Sequence, residues 1–356
     1  MDAAISQDEL QLAARNHGLP LEALRYPITP AGLHYLLIHY DIPDVDADRW
    51  ALNVDGEVAK PLTLTLEDLR RRPAHQVTAT MECAGNGRAL LAPHVVSQPW
   101  LLEAVGNAIW KGVPLRAILE EAELLGDAVE VVFTGLDRGV EKGVEQSYQR
   151  SLELDVALAD DTLLAYEMNG APLLPQHGFP LRLLVPGWYG MTNVKWLAGI
   201  TVVAEPFQGY QHTAAYRYRA DEDQEGTPVT RMQPRALMVP PGIPDFNTRE
   251  RTVPAGPCPL LGRAWSGWAP ISRVEVSTDG GETWADAELD PLDSRWGWRG
   301  WRFEWEADEL GEYVLCCRAE DETGNVQPLE PIWNVGGYSN NAVQRVYVVV
   351  AAELKA

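Results

Sequence analysis

The chain has 356 residues, 46% of them hydrophobic and 22% charged, which leaves room for two folded domains and excludes a disordered polymer. Against 29 basic residues stand 51 acidic ones, and the formal net charge of −22 excludes nucleic acid and anionic membrane as partners. It also opposes an anionic substrate, unless a pocket gathers cations locally. No apolar run is long enough to span a bilayer. The segment Met1–Glu9 lacks a basic stretch followed by an apolar core, so the chain reads as cytoplasmic as written, and periplasmic only if a leader was removed. Four cysteines, two of them adjacent, make no disulfide framework.

In chain order, Thr65–Arg72 reads as a short helix capped by Thr65, with an acid three positions on and Pro73 as its stop. Gln76–Met81 is β-prone and alternating. It runs into Met81-Glu82-Cys83-Ala84-Gly85-Asn86-Gly87-Arg88, a thiol on a glycine-rich turn. Pro114–Leu125 is a second helix, opened by proline and closed by Gly126, with Leu115, Ile118, Leu119 and Ala122 on one face. Val129–Phe133 and Leu181–Val185 read as strands. The first part is therefore α+β. Eight prolines between Thr227 and Leu260, after an acidic run at Asp221–Glu225, predict an extended connection over the surface. Beyond it Ile271–Ser277 alternates strictly and Asp279-Gly280-Gly281 is a hairpin turn. Runs at Trp301–Glu306, Tyr313–Ala319 and Val343–Val350 complete an immunoglobulin-like sandwich. The domains divide as 1–225 and 226–356. Cys316 and Cys317 fall on opposite faces of one strand and read as packing residues. Seven of the thirteen tryptophans lie between Trp265 and Trp305, and a sandwich core accounts for them better than an interaction surface.

A lone cysteine is usually structural, but Cys83 leaves a strand onto small and turn-forming residues, where a loop on a rigid scaffold can carry chemistry. No CxxC spacing points to zinc, no GxGxxG or GxxxxGK[ST] to a nucleotide, and no CxxCH to haem. Arg182 stands in an apolar strand, where an unpaired guanidinium is expensive, so an anionic partner is expected. Lys195, between Val194 and Trp196, poses the same problem.

Several motifs occur in order. These are Cys83–Arg88; Leu164–Gly170 before His177-Gly178-Phe179-Pro180-Leu181-Arg182; Val185-Pro186-Gly187; and Val194-Lys195-Trp196-Leu197. In the second half come Ala264-Trp265-Ser266-Gly267, Val276–Gly281 and Pro331-Ile332-Trp333-Asn334. Together they resemble the sulfite oxidase family of molybdenum-cofactor enzymes over nearly the whole chain, and specifically its haem-free bacterial-type sulfite dehydrogenases. The resemblance implies a molybdopterin-binding α+β domain followed by an all-β, immunoglobulin-like dimerisation domain, and hence a homodimer. It implies Cys83 as the thiolate ligand of molybdenum beside the pterin dithiolene. It implies His39, Asp137, His177, Arg182, Asn193 and Lys195 as cofactor-binding residues, the cations for the phosphate and Asp137 for the amino groups of the pterin. Arg88, Trp100, Tyr216 and Arg295 would form the reaction centre. The implied reaction is oxidation of sulfite to sulfate, with electrons passed to an external acceptor such as a cytochrome. Another sulfur compound, or reduction of an oxyanion or sulfoxide, is the alternative. Two departures favour that alternative: Leu37, in Leu37-Ile38-His39, stands where the family carries an arginine, and Gly87 replaces the first arginine of its cysteine turn.

Overall fold

The computed structural model describes residues 5–141 and 143–352. Two sheets carry the first part of the chain. One runs in the order Leu62–Thr65, Ala51–Gly56, Leu197–Val203, Glu130–Glu141, Val144–Glu153, with Ala51–Gly56 parallel to Leu197–Val203 and the other pairs antiparallel. The other sets His75–Glu82 against Val105–Pro114, then Leu163–Met168, which also pairs with Arg182–Leu184. The helices pack around them. Leu66–Arg70 starts at Thr65, whose hydroxyl accepts from the Asp68 N–H while Asp68 accepts from Thr65, the reciprocal cap its sequence predicts. Leu115–Ala122 buries Leu115, Ile118, Leu119 and Ala122 as expected. It ends earlier than Gly126, because Glu123 takes the left-handed conformation at φ 57° and closes the last turn.

Two further sheets carry the second part: Arg235–Met238, Gly256–Trp265, Arg299–Ala307 and Glu288–Leu289 in one, and a six-stranded sheet centred on Gln344–Ala351, Gly311–Asp321 and Ile271–Ser277 in the other. A shared core that includes Leu260, Val274, Val276, Trp301, Trp305, Leu315 and Val348 lies between them. Cys317 is part of that core, and its strand neighbour Cys316, on the other face, is fully buried too, so both are packing residues. Of the tryptophan cluster, Trp265, Trp298, Trp301 and Trp305 are buried, whereas Trp268 is 43% exposed.

The proline-rich stretch corrects the reading of a surface connection. Arg235–Met238 is buried at all four positions and pairs with Gly262–Trp265, and Arg251–Pro254 pairs in parallel with Val348–Ala351. Pro234 and Pro240 flank the first of these strands without interrupting it, so no ladder hydrogen bond is lost. Among the described residues no helix is long and apolar enough to cross a membrane.

Candidate active site

The strand His75–Glu82 delivers Cys83 into a wall of apolar residues. Cys83 is 7% exposed and clusters with Tyr35, Met81, Trp100, Ala104 and Trp110, with Leu37 packed against them. Its N–H donates to Ala104 O at 2.9 Å, and the turn closes through Asn86 N to Cys83 O and Arg88 N to Gly85 O. Burial pushes the Cys83 thiol pKa up, against the opposing pull of the Arg88 charge, the Gly85 N–H and the Trp100 indole N–H. A buried thiol meets its nearest compensating positive charge on Arg88, five residues along the same turn.

Residues from the second half of the chain hold this turn in place. Glu82 accepts from Asn86 Nδ2 at 3.0 Å and Trp265 Nε1 at 2.9 Å, and forms an ion pair with Arg235 Nε at 2.9 Å, both partners being 1% exposed. Asn340 donates to Gly87 O at 2.7 Å, and Ser339 N–H to Ala84 O at 2.7 Å. Gly87 sits at φ 88°, and a Cβ there would lie 2.8 Å from Asn340 O. Gly87 therefore faces the second sheet pair and lines neither cavity beside Cys83. Of the two departures from the family motif, only Leu37 therefore lines the site.

Two cavities meet at Cys83. The inner one is lined by Cys83, Met81, His34, His39, Asp137, His177, Arg182, Asn193 and Lys195, among others. All seven expected cofactor-binding residues are thus brought together, with Tyr216 beside them. Arg182 donates through Nη1 to His177 O at 3.1 Å and through Nη2 to Asn193 O at 3.2 Å, but Nε is buried without a partner. Its face lies over Trp110 at 4.8 Å. Lys195 Nζ donates to Leu37 O at 2.8 Å and Gln176 O at 3.1 Å. Neither cation forms an ion pair with a carboxylate among the described residues. Burial brings Lys195 down to about 7, and the nearby Arg182 charge adds to the effect. Burial likewise brings Arg182 to about 10 and His177 to about 4. Burial raises Asp137 to about 6 against the pull of Lys195 and His39, and its Oδ1 has no partner. Asn193 spends its amide on the backbone, accepting from Val185 N–H at 2.7 Å and donating to Tyr189 O at 3.2 Å.

Buried cations without counter-ions and an orphaned acceptor describe a cradle for a large anionic ligand that also carries N–H groups. A pterin bearing a phosphate fits that donor set. Arg182, Lys195 and His177 would face the phosphate, Asp137 the amino groups, and Cys83 would offer its sulfur to the metal. Among the described residues no group of three His, Cys, Asp or Glu gathers that could hold a metal by itself.

The outer cavity opens over Cys83 and is lined by Leu37, His39, Gly85, Arg88, Gln98, Trp100, Glu141, Gln211, Tyr216 and Tyr338, among others. Arg88, 5% exposed, donates through Nε to Gly336 O at 3.0 Å and through Nη1 to Gln98 O at 3.2 Å, and lies 5.3 Å over the Tyr338 ring. Two carbonyls and a ring fix the guanidinium, and its charge meets no carboxylate. Tyr216 stacks on Tyr338 at 5.1 Å, with Arg150 5.6 Å over its ring. Its φ of 49° is rare for an aromatic residue and marks a position held by its surroundings. Burial raises the Tyr216 phenol well above its ordinary range, so it keeps its proton.

Arg295 is not brought to the site. It is exposed, lies 4.7 Å over Trp296 and lines neither cavity, because the Ser294–Trp298 loop is anchored on the outside of His75–Glu82 by Ser294 Oγ to Thr78 O and Thr80 N–H to Trp296 O. The buried arginine beside Tyr216 is Arg150. Sequence reasoning missed it together with His34, Glu141 and Tyr338. For Tyr338 a signal existed, since it follows the Pro331–Asn334 motif by four residues.

Comparison with known proteins agrees with this geometry. Residues 39–211 match the oxidoreductase molybdopterin binding domain, and residues 247–351 the Mo-co oxidoreductase dimerisation domain. Sulfite oxidase of Gallus gallus is 35% identical, over 89% of this chain and 72% of that protein. Nitrate reductase [NADH] 2 of Nicotiana tabacum is 33% identical, over 90% of this chain and 38% of the relative. The structure of the sulfane dehydrogenase SoxCD from Paracoccus pantotrophus superposes with a TM-score of 0.80 at 28% identity, covering 93% of this chain and 83% of that one. The chain spans 62% of the length of the mitochondrial sulfite oxidases it matches, such as that of Rattus norvegicus, to which it is 35% identical over 91% of its own length. Its motifs, its cation-lined cradle at Cys83 and these relatives agree: the chain belongs to the sulfite oxidase family of molybdopterin-binding oxidoreductases.

Proposed function

We propose that the protein oxidises a lone-pair-bearing sulfur oxyanion, with sulfite the simplest case, and passes the electrons to an external one-electron acceptor. The observation that supports it is Arg88, a buried guanidinium without a carboxylate partner at the bottom of an open cavity beside Cys83. Such a charge favours an anion there and orients it through paired N–H groups. Trp100 gives the anion an apolar floor, and Tyr216, fixed in its protonated form, donates a hydrogen bond from the wall. The molybdenum cofactor, when bound, supplies the two-electron oxygen-transfer chemistry that no side chain here offers. Sulfite and water become sulfate, two protons and two electrons, so two acceptor molecules are reduced per turnover. The match to a dimerisation domain supports a homodimer.

The test is sulfite-dependent reduction of ferricyanide by protein whose molybdenum content is measured on the same sample. Activity proportional to metal is the expected result. Full metal loading with no oxidation of any sulfur oxyanion would overturn the reading. It would favour the reverse direction, reduction of an oxyanion or sulfoxide, which the likeness to nitrate reductase and the loss of a cation at Leu37 support. A reduced viologen dye with nitrate or a sulfoxide then measures that direction.

A further inference from the structure

We propose that the outer cavity selects an organic sulfinate, R–SO₂⁻, over inorganic sulfite, and that Leu37 is the specificity-determining residue. The inference rests on the reading of sulfur-oxyanion oxidation given above and narrows its substrate. Three observations carry it.

The first is charge. Arg88 is the one buried cation among the described residues lining the outer cavity. Arg15 is exposed, and its Nη2 donates to the His39 carbonyl at 3.3 Å. His39 faces Glu141 at 3.5 Å, and that carboxylate, one-third exposed at the rim, also accepts from Gln211 Nε2 at 2.7 Å. Arg150 lies 5.6 Å over the Tyr216 ring, donates to the Gln211 carbonyl and lines neither cavity, so the lining itself offers one buried positive charge below a rim carboxylate, which suits a monoanion better than a dianion.

The second is the wall. Leu37 lines both cavities and packs on the cluster of Cys83 and Trp100. Leu12, Ile38, Val140 and Ala215 add further apolar lining to the outer cavity. An oxyanion without carbon gains nothing from such a surface, whereas an alkyl or aryl substituent is removed from water against it.

The third is size. The outer cavity has a volume of about 340 Å³, within the roughly 300–1,000 Å³ typical of sites for small organic molecules. A four-atom oxyanion at Cys83 leaves most of it to water.

In a sulfinate the organic group replaces one oxygen of sulfite and removes one negative charge, while the sulfur lone pair remains. The reaction balances as R–SO₂⁻ + H₂O → R–SO₃⁻ + 2 H⁺ + 2 e⁻. The lone pair becomes the new S–O bond, the oxygen comes from water, and two equivalents of a one-electron acceptor take the electrons.

The experiment compares benzenesulfinate with sulfite on molybdenum-quantified holoenzyme, using ferricyanide as acceptor and detecting benzenesulfonate by mass spectrometry. The expected result is a kcat/KM for benzenesulfinate about tenfold or more above that for sulfite, and competitive inhibition by benzenesulfonate at lower concentration than by sulfate. Leu37→Arg should lower the KM for sulfite by about ten- to a hundredfold, the effect of one charge-assisted hydrogen bond, and raise that for benzenesulfinate. Leu37→Met keeps the apolar wall and should keep the preference, which covers the case of a misfolded Leu37→Arg. Brisk sulfite oxidation with no turnover of benzenesulfinate and no inhibition by benzenesulfonate would overturn the inference and leave the sulfur-oxyanion reading standing. Oxidation of neither compound by fully loaded enzyme would overturn both.

Discussion

Replacing Cys83 by Ser leaves the turn's backbone bonds in place and removes only the soft sulfur, so activity should fall below about one part in a hundred of wild type. Turnover per molybdenum on the same preparation checks it. Lys195 offers a test that needs no substrate. Its folded pKa of about 7 lies below its ordinary 10.5. In cofactor-free protein the unfolded chain therefore binds the extra proton between those values, and stability gains from this group as pH rises from about 7 toward 10.5. Below about pH 7 both states are protonated and the cost of burying the charge is fully present. Urea midpoints of cofactor-free wild type and Lys195→Met should thus show wild type gaining on the variant between pH 6.5 and pH 9. A flat difference would mean that the ammonium is not buried uncompensated. Cys83, His177, Arg182 and Lys195 were legible in the sequence because each stands within a contiguous motif or breaks an apolar run. Arg150 was not. Its partner is the carbonyl of Gln211, and its ring contact is Tyr216, and only folding brings these to it.

At the scale of elements, the strands and caps that depend on neighbouring residues were readable, and the ends set by distant packing were not. Leu66–Arg70 announced itself through Thr65 and Asp68, and Ile271–Ser277 through alternation. Arg235–Met238 did not, because four consecutive buried residues between prolines carry no period. That strand supplies Arg235 to the buried pair with Glu82, directly before Cys83 in sequence. Removing one partner strands the other charge away from water, at a cost of about 3–5 kcal/mol. Arg235→Met should show that loss in chemical denaturation, and Arg235→Met combined with Glu82→Gln should recover part of it. Equal losses in single and double variants would mean that Glu82 is held by Trp265 and Asn86 alone.

At the scale of the molecule, the two halves share one functional turn, and the small sheet of Arg217–Tyr218 with Thr227–Pro228 also joins them. Residues 226–356 supply Arg235, Trp265, Gly336, Tyr338 and Asn340 to the surroundings of Cys83 and Arg88. Residues 1–225 produced alone should therefore fail to retain molybdenum even if their sheets form. Metal analysis after gel filtration, against the full chain, tests this. Full retention would show that the inner cavity is complete without the second half.

The contact between Asn340 and Gly87 joins positions 253 residues apart. During synthesis the thiol-bearing turn leaves the ribosome long before the strand and loop that clamp it. Its final shape is set only when nearly the whole polypeptide has emerged. Any cofactor binding that needs the clamped form of the turn therefore comes after synthesis is nearly complete.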